Sequence, residues 1–237
     1  AFACAHRSSP SIVGFTNTLP CIAGELMNYE LSKLAQALEN PKMPCIAVLG
    51  GIKVDDSVTV AENMLRGGTC DHIWVTGGVA NLFLYISNID IGEVNVNFLK
   101  GELGNSWEDT VSKASKLLVD FPECIIMPSD VALHMTGNRV DHPIQNLPIE
   151  APIFDLGITS IRALSKAIKS AGTIILNGPA GVFEQTDFAL GTVEMLNACA
   201  EGNGYAVMGG GHTATLVSQR GLTRKMGHVS TGGGAGL

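Results

Sequence analysis

Short apolar runs recur along the chain, and most of them stop at glycine: CIAVLGG (45–51), HIWVTGG (72–78), IFDLG (153–157), TIILNG (173–178) and YAVMGGG (205–211). ECIIMP (123–128) ends in proline instead, and HVSTGGG (228–234) closes the series. A run that is apolar at successive positions has no face to offer water. It suits a strand of parallel sheet covered on both sides. Between the runs the apolar spacing changes to three and four. Ser57–Arg66 aligns Val58, Ala61, Met64 and Leu65 and stops at Gly67 and Gly68. Ser106–Phe121 opens on a capping serine with Asp109 three residues on, and aligns Val111, Ala114, Leu117, Leu118 and Phe121. Thr159–Ala171, capped by Thr159 and closed by Gly172, is followed by Asp187–Ala200 and Thr213–Gln219. Strand, glycine turn, helix, repeated, predicts an α/β fold: a doubly wound, Rossmann-like, mostly parallel sheet with helices on both faces and right-handed crossovers.

One helix stands apart from that rhythm. Leu19–Glu39 has Pro20 near its first turn, ends before Asn40-Pro41, and repeats Ile22, Leu26, Met27, Leu31, Leu34, Ala35 and Leu38 at helical spacing. At about 1.5 Å per residue it is roughly 30 Å long, the reach of a connector. The spacing therefore predicts three parts: residues 1–18 as the end of something upstream, 19–40 as a connecting helix, and 41–237 as the glycine-rich domain. The absence of an initiator Met supports reading the chain as a fragment. His6, Arg7 and Pro10 in the first ten positions argue against a signal peptide. Val94–Phe98 and Ala132–Leu147 alternate weakly and are expected to be short rim strands.

Composition narrows the function classes. Of 237 residues, 46% are apolar, 16% charged and 5% aromatic, which is the profile of a packed globular protein. The net charge of −7, from 15 basic and 22 acidic residues without basic runs, argues against nucleic acid and anionic membranes as partners. No apolar stretch approaches the roughly 18–20 residues that span a bilayer. The six cysteines form no C-x-x-C pair, and four lie in apolar segments. Buried reduced thiols in a reducing compartment, the cytoplasm, are expected.

The chain holds 28 glycines, more than the usual share of about 7%. In an open α/β sheet, ligands bind at the carboxyl ends of the strands, where glycine lets backbone approach the ligand. The helix that follows points unpaired N–H groups at the same place, so phosphate is the natural guest. The P-loop sequence is absent. Gly209, Gly211 and Ala214 satisfy the dinucleotide pattern G-x-G-x-x-A. That pattern needs a carboxylate about 20 residues later, and no Asp or Glu follows Glu201. Nucleotide binding is favoured, with an NAD(P)-linked oxidoreductase and a non-catalytic adenine-nucleotide module as alternatives. Glu184, in NGPAGVFE, is placed to reach ribose hydroxyls. Lys53, after Gly50 and Gly51, offers an ammonium to developing negative charge. His212, at a helix start, suits either a cap or a ligand contact.

GGIKVDDS (50–57), NGPAGVFE (177–184), GGGHTAT (209–215) and HVSTGGGA (228–235) resemble, in order and spacing, the nucleotide-binding domain of the phosphoglycerate kinase family, in its archaeal form. AFACAHRSSPSIVGF looks like the end of the family's N-terminal substrate-binding domain, and LPCIAGELMNYELSKLAQALEN like its interdomain helix. The resemblance implies reversible phosphoryl transfer from 1,3-bisphosphoglycerate to Mg-ADP, giving 3-phosphoglycerate and ATP. It implies that Lys53 contacts the transferring phosphoryl, with Gly211 and Gly233 also at the reacting centre. The amides around Gly210, Gly211, Thr213 and Gly232–Gly234 would hold phosphates. Gly50, Gly51, Asn177, Gly178, Pro179, His212 and Thr231 would complete the nucleotide site. Gly77, Gly78 and Phe154 would line the adenine or ribose pocket, Glu184 would bind ribose, and Arg7 would grip the acid substrate. His212 stands where many members carry a metal-binding Asp, so Mg²⁺ is expected on nucleotide phosphates and water, or on a carboxylate such as Asp155. Ser57 stands where a second lysine is usual. Nucleotide binding with negligible turnover is expected of this chain by itself, because two domains must close to expel water.

Overall fold

The computed structural model of the chain describes residues 2–5 and 7–232. After a short turn of helix, α1 (Pro10–Val13), and a longer helix, α2 (Glu25–Leu38), the chain lays down β1 (Cys45–Leu49), α3 (Val54–Arg66), β2 (His72–Val75) and α4 (Gly77–Ile86). Two more helices, α5 (Glu93–Leu103) and α6 (Trp107–Asp120), lead to β3 (Ile125–Ile126). A hairpin of β4 (Asp130–Met135) and β5 (Asn138–Pro143) precedes β6 (Ile153–Leu156) and α7 (Ile158–Ser170). The chain then alternates through β7 (Thr173–Asn177), α8 (Leu190–Glu201), β8 (Tyr205–Gly209) and α9 (Gly211–Gln219) to β9 (His228–Val229).

The main sheet has six strands in the order β3-β2-β1-β7-β8-β9, every neighbouring pair parallel. Alternate residues of its apolar runs go to opposite faces. Ala47, Leu49, Ile73, Val75, Ile175 and Val207 pack with buried residues of α3, α4 and α6. Ile46, Val48, Ile174, Leu176, Ala206 and Met208 pack with those of α7, α8 and α9. Both faces being covered is the reason the runs show no polar alternation. The α/β class expected from the sequence is the one observed.

Several elements differ from expectation. The run 153–157 is not in the parallel sheet: β6 pairs antiparallel with β4 in a separate three-stranded sheet, β5-β4-β6. The 132–147 stretch does form strands of that sheet. Residues 94–98 are helical, inside α5, where a helix of low amphipathicity leaves little periodic signal. Helix α4 was not anticipated. Val79, Ala80, Asn81, Leu82, Phe83 and Leu84 are all buried in it, so no polar face marks its period. The connector helix is shorter than expected, and much of its apolar stripe is exposed, with Ile22 89% and Leu26 58% accessible. Ser106 makes no side-chain cap bond, and Thr159 lies inside α7, whose N-cap position is Gly157. Asp130 of β4 caps α7 instead, accepting the Thr159 and Ser160 amides at 2.9 and 2.7 Å. A cap supplied across the sheet has no local sequence signature. Helix α8 starts at Leu190, after a 3-10 turn at Thr186–Phe188. Cys45, Cys70 and Cys199 are buried, and burial pushes their thiols up to about 11, 12 and 12.

Candidate functional site

Because β1, β2, β7 and β8 are adjacent and parallel, their carboxyl ends lie along one edge, with Leu49 level with Val75 and Asn177, and Asn177 level with Gly209. The four glycine turns that leave this edge are stitched together by backbone. Gly50 N–H donates to Asn177 O at 2.8 Å, Gly51 N–H to Pro179 O at 2.9 Å, and Gly78 N–H to Gly51 O at 3.0 Å. Gly178 has φ +85°, and a Cβ there would collide with Gly50 O, so only glycine lets the turns after β1 and β7 touch. A Cβ on Gly210 would lie 3.5 Å from Gly178 N and 3.7 Å from Asn177 Oδ1, which brings the fourth turn to the same spot. Gly50, Gly51, Gly77, Gly78, Asn177, Gly178, Pro179, Gly210, Gly211 and Thr213 therefore lie along one continuous rim.

Helices α3, α4 and α9 begin on that rim. The first intrahelical bond of α9 runs from Ala214 N–H to Gly210 O at 3.0 Å, which leaves the amides of residues 211–213 without an intrahelical acceptor. The Thr213 hydroxyl is buried and has no partner among the described residues. Such a group costs about 1–3 kcal/mol unless something else bonds it. Beside it, the position of a Cβ on Gly211 has nothing within 4 Å. Lys53, the residue before α3, is exposed, and its ammonium makes no ion pair among the described residues. Ser57, one turn on, is buried in α3. The His212 side chain and Gly233 lie outside the described residues.

A second wall comes from the small sheet. Phe154 O accepts the Val182 amide at 2.7 Å, so β6 lies against the NGPAGVFE turn. The Phe154 ring stacks on His134 at 5.1 Å and meets Phe188 edge-on at 5.2 Å. Glu184 is exposed on the same turn. Asp155 is not available to a metal, contrary to the suggestion above. Its side chain is 0% exposed and its Oδ2 accepts from Arg139 Nη1 at 2.8 Å and Gly191 N–H at 2.8 Å. Burial pushes the Asp155 carboxyl up, against the pull of Arg139 and the Gly191 amide.

The last turn leaves the same edge. Ser230 N–H donates to Met208 O at 2.8 Å, and the next two residues are anchored from two directions. Glu30, buried on α2, accepts from Thr231 N–H at 3.0 Å, Thr231 Oγ1 at 2.6 Å and His228 Nε2 at 2.7 Å. Burial raises its carboxyl, but the bonds from Thr231 and His228 outweigh that and hold it below the ordinary range. The Phe2 ring fills the space beside Gly232, where a Cβ would lie 2.5 Å from it. Nothing in the sequence flagged Glu30, because a glutamate on an amphipathic helix reads as solvated. Arg7 is exposed, and no described side-chain contact joins it to the rim.

The family profile described as phosphoglycerate kinase matches residues 1–237. The chain belongs to the phosphoglycerate kinase family. It is 46% identical over 237 residues to the phosphoglycerate kinase of Methanobacterium bryantii and 45% identical to that of Methanothermobacter thermautotrophicus. The alignment takes in 100% of this chain and 57% of each relative, so the chain spans little more than half the length of the curated relatives it matches. The crystal structure of phosphoglycerate kinase from Pyrococcus horikoshii OT3 superposes with a TM-score of 0.89 at 39% identity, covering 100% of this chain and 58% of that one. The Coxiella burnetii phosphoglycerate kinase structure gives 0.72 at 32% identity, covering 90% of this chain and 54% of that one. Among the described residues, no group of three or more His, Cys, Asp or Glu could hold a metal ion. No described helix is long and apolar enough to cross a membrane.

Proposed function

We propose that this chain is the nucleotide-binding part of a phosphoglycerate kinase, with residues 1–18 closing the substrate domain, 19–40 joining the two domains, and 41–237 binding ADP or ATP. What carries the reading is the convergence of four glycine turns on a buried, unpartnered Thr213 hydroxyl beside the open face of Gly211. A diphosphate is the ligand that this combination suits, since it accepts from a hydroxyl and from several amides at once.

In the proposed site the amides of residues 210–213, with Gly233, receive the phosphate chain, and the Thr213 hydroxyl donates to a phosphate oxygen, while Thr231 and Gly232, whose amides are bonded to Glu30 and to Ser230 Oγ, frame the turn after β9. Gly50, Gly51, Asn177, Gly178 and Pro179 shape the floor. Gly77, Gly78 and Phe154 bound the base or ribose, and Glu184 accepts from ribose hydroxyls. Lys53 Nζ faces the transferring phosphoryl, where fixed positive charge stabilises the transition state without covalent chemistry. Mg²⁺ would arrive with the nucleotide and would supply positive charge that offsets the charge on the phosphates. His212 completes the approach to the phosphates, and Arg7 is assigned to the carboxylate of 3-phosphoglycerate or its acyl phosphate across the cleft. Transfer itself takes place in the full-length enzyme, and a cytoplasmic setting agrees with the protonated buried thiols.

The test is thermal unfolding of this chain with Mg-ADP, Mg-ATP or NADH. At 100 times Kd the nucleotide adds about 2.7 kcal/mol of stability, so the midpoint rises with ADP and ATP and stays put with NADH. A rise with NADH alone would reverse the assignment in favour of an oxidoreductase domain.

A further inference from the structure

Arg139 stands on β5, outside every motif that marks the nucleotide rim, yet its side chain is only 15% exposed. Its guanidinium reaches three elements. Nε donates to Asp141 Oδ1 at 3.0 Å on its own strand, Nη2 to Leu156 O at 2.7 Å on β6, and Nη1 both to Asp155 Oδ2 at 2.8 Å and to Asp187 O at 3.1 Å. Asp155 in turn holds the start of α8 through Gly191 N–H and its own strand through Leu156 N–H at 2.9 Å. The segment between β7 and α8 is laid directly on this pair. A Cβ at Gly181 would lie 2.5 Å from Asp155 Oδ1, and one at Gly191 would collide with it. The segment is thus fastened at Pro179 by the Gly51 amide, at Val182 by Phe154, at Asp187 by Arg139 and at Gly191 by Asp155. Glu184 is exposed between the second and third of these points.

We propose that Arg139 and Asp155 are positioning residues for the nucleoside end of the site, fixing the turn that presents Glu184 without touching the nucleotide themselves. The pair acts on the base and ribose half, because the amides that take phosphate are on the turns after β8 and β9, which neither residue contacts, and its contacts on the β7–α8 segment begin at Gly181, beyond the Asn177–Pro179 floor. This rests on the nucleotide reading above.

The experiment measures Kd for ADP and for inorganic pyrophosphate, both by competition with a fluorescent ADP analogue, on this chain and its Arg139→Lys variant. Lysine keeps the charge and loses the planar fork. The expected result is about a 10-fold loss for ADP, with pyrophosphate changed less than about 2-fold, since displacement of a positioning group by an ångström can cost as much as 100-fold. A Glu184→Ala variant completes a double-mutant cycle. If Arg139 acts through that turn, the combined variant loses no more than about 10-fold, where independent effects would multiply to about 100-fold. Should Arg139→Lys fail to fold, the paired variant Arg139→Gln/Asp155→Asn, which replaces buried charges by amides, is read in the same way. Equal losses for ADP and pyrophosphate, multiplicative losses in the cycle, or unchanged ADP affinity overturn the proposal. If the unaltered chain binds pyrophosphate and not ADP, the nucleotide reading fails and the positioning role fails with it. If it binds both and the variants do not discriminate, only the positioning role fails.

Discussion

Gly178 and Gly211 end neighbouring turns of the rim, yet a methyl group added to each has opposite consequences. At Gly178 it meets Gly50 O in a backbone of φ +85°, so Gly178→Ala strains the fold. It is expected to lower unfolding stability by roughly 1–3 kcal/mol, measured in urea. At Gly211 it meets nothing within 4 Å, and Gly211→Ala should leave stability within about 0.5 kcal/mol. What Gly211→Ala should change is ligand approach: a weakening of ADP by about 10-fold or more is expected in titration, as for loss of a group aligned with the phosphate. Unaltered ADP affinity in that variant would show that the open face of Gly211 is not the phosphate seat. The two glycines look alike in the sequence. Their neighbours in space separate a structural role from a binding one.

At the scale of elements, α2 and the turn after β9 are joined by one buried carboxylate. Glu30 serves two donors on Thr231 and one on His228, and those bonds depress its pKa below the ordinary 4.5. A carboxylate whose pKa is lowered on folding adds stability above its unfolded pKa and loses it as pH falls through the folded value. The contribution is therefore complete at neutral pH and fades below about pH 4.5. Glu30→Gln should cost about 1.5–3 kcal/mol at pH 7, as for hydrogen bonds to a charged group, with the deficit shrinking at acid pH in urea titrations. A deficit that does not vary with pH would mean that shape alone, not charge, holds α2 to the turn. The capping of α7 by Asp130, 29 residues before Thr159, is the same kind of contact between distant elements. It explains why the local cap signal at Thr159 misled.

For the whole molecule, the sheet divides the core into two faces, and its thiols report how completely each is closed. Cys45 and Cys70 lie in the layer with α3 and α6, and Cys199 in the layer with α7 and α8. Held protonated by burial, with values of about 11, 12 and 12, they should resist alkylation at pH 8 until the chain unfolds, while exposed Cys21 is modified at once. Mass spectrometry of alkylated peptides checks this, and early labelling of Cys199 would mean that the α8 face opens independently. The parallel order β3-β2-β1-β7-β8-β9 sets four turns side by side although up to about 160 residues of chain separate them.

The run-and-glycine rhythm was enough to determine a parallel α/β sheet and to mark most of the rim, because burial on both faces and a positive φ each demand a narrow set of residue types. Helix α4, apolar on every side, and β6, which reads like any other buried strand, were beyond that rhythm, since periodicity carries no information about which neighbour a segment will find. The same holds for Arg139, Asp130 and Glu30. A charged side chain earns its role from the partners that the fold brings within 3 Å, and those partners sit on other strands and helices. Local chemistry was written in the chain; the pairing of distant charges was decided only when the two sheets and α2 came together.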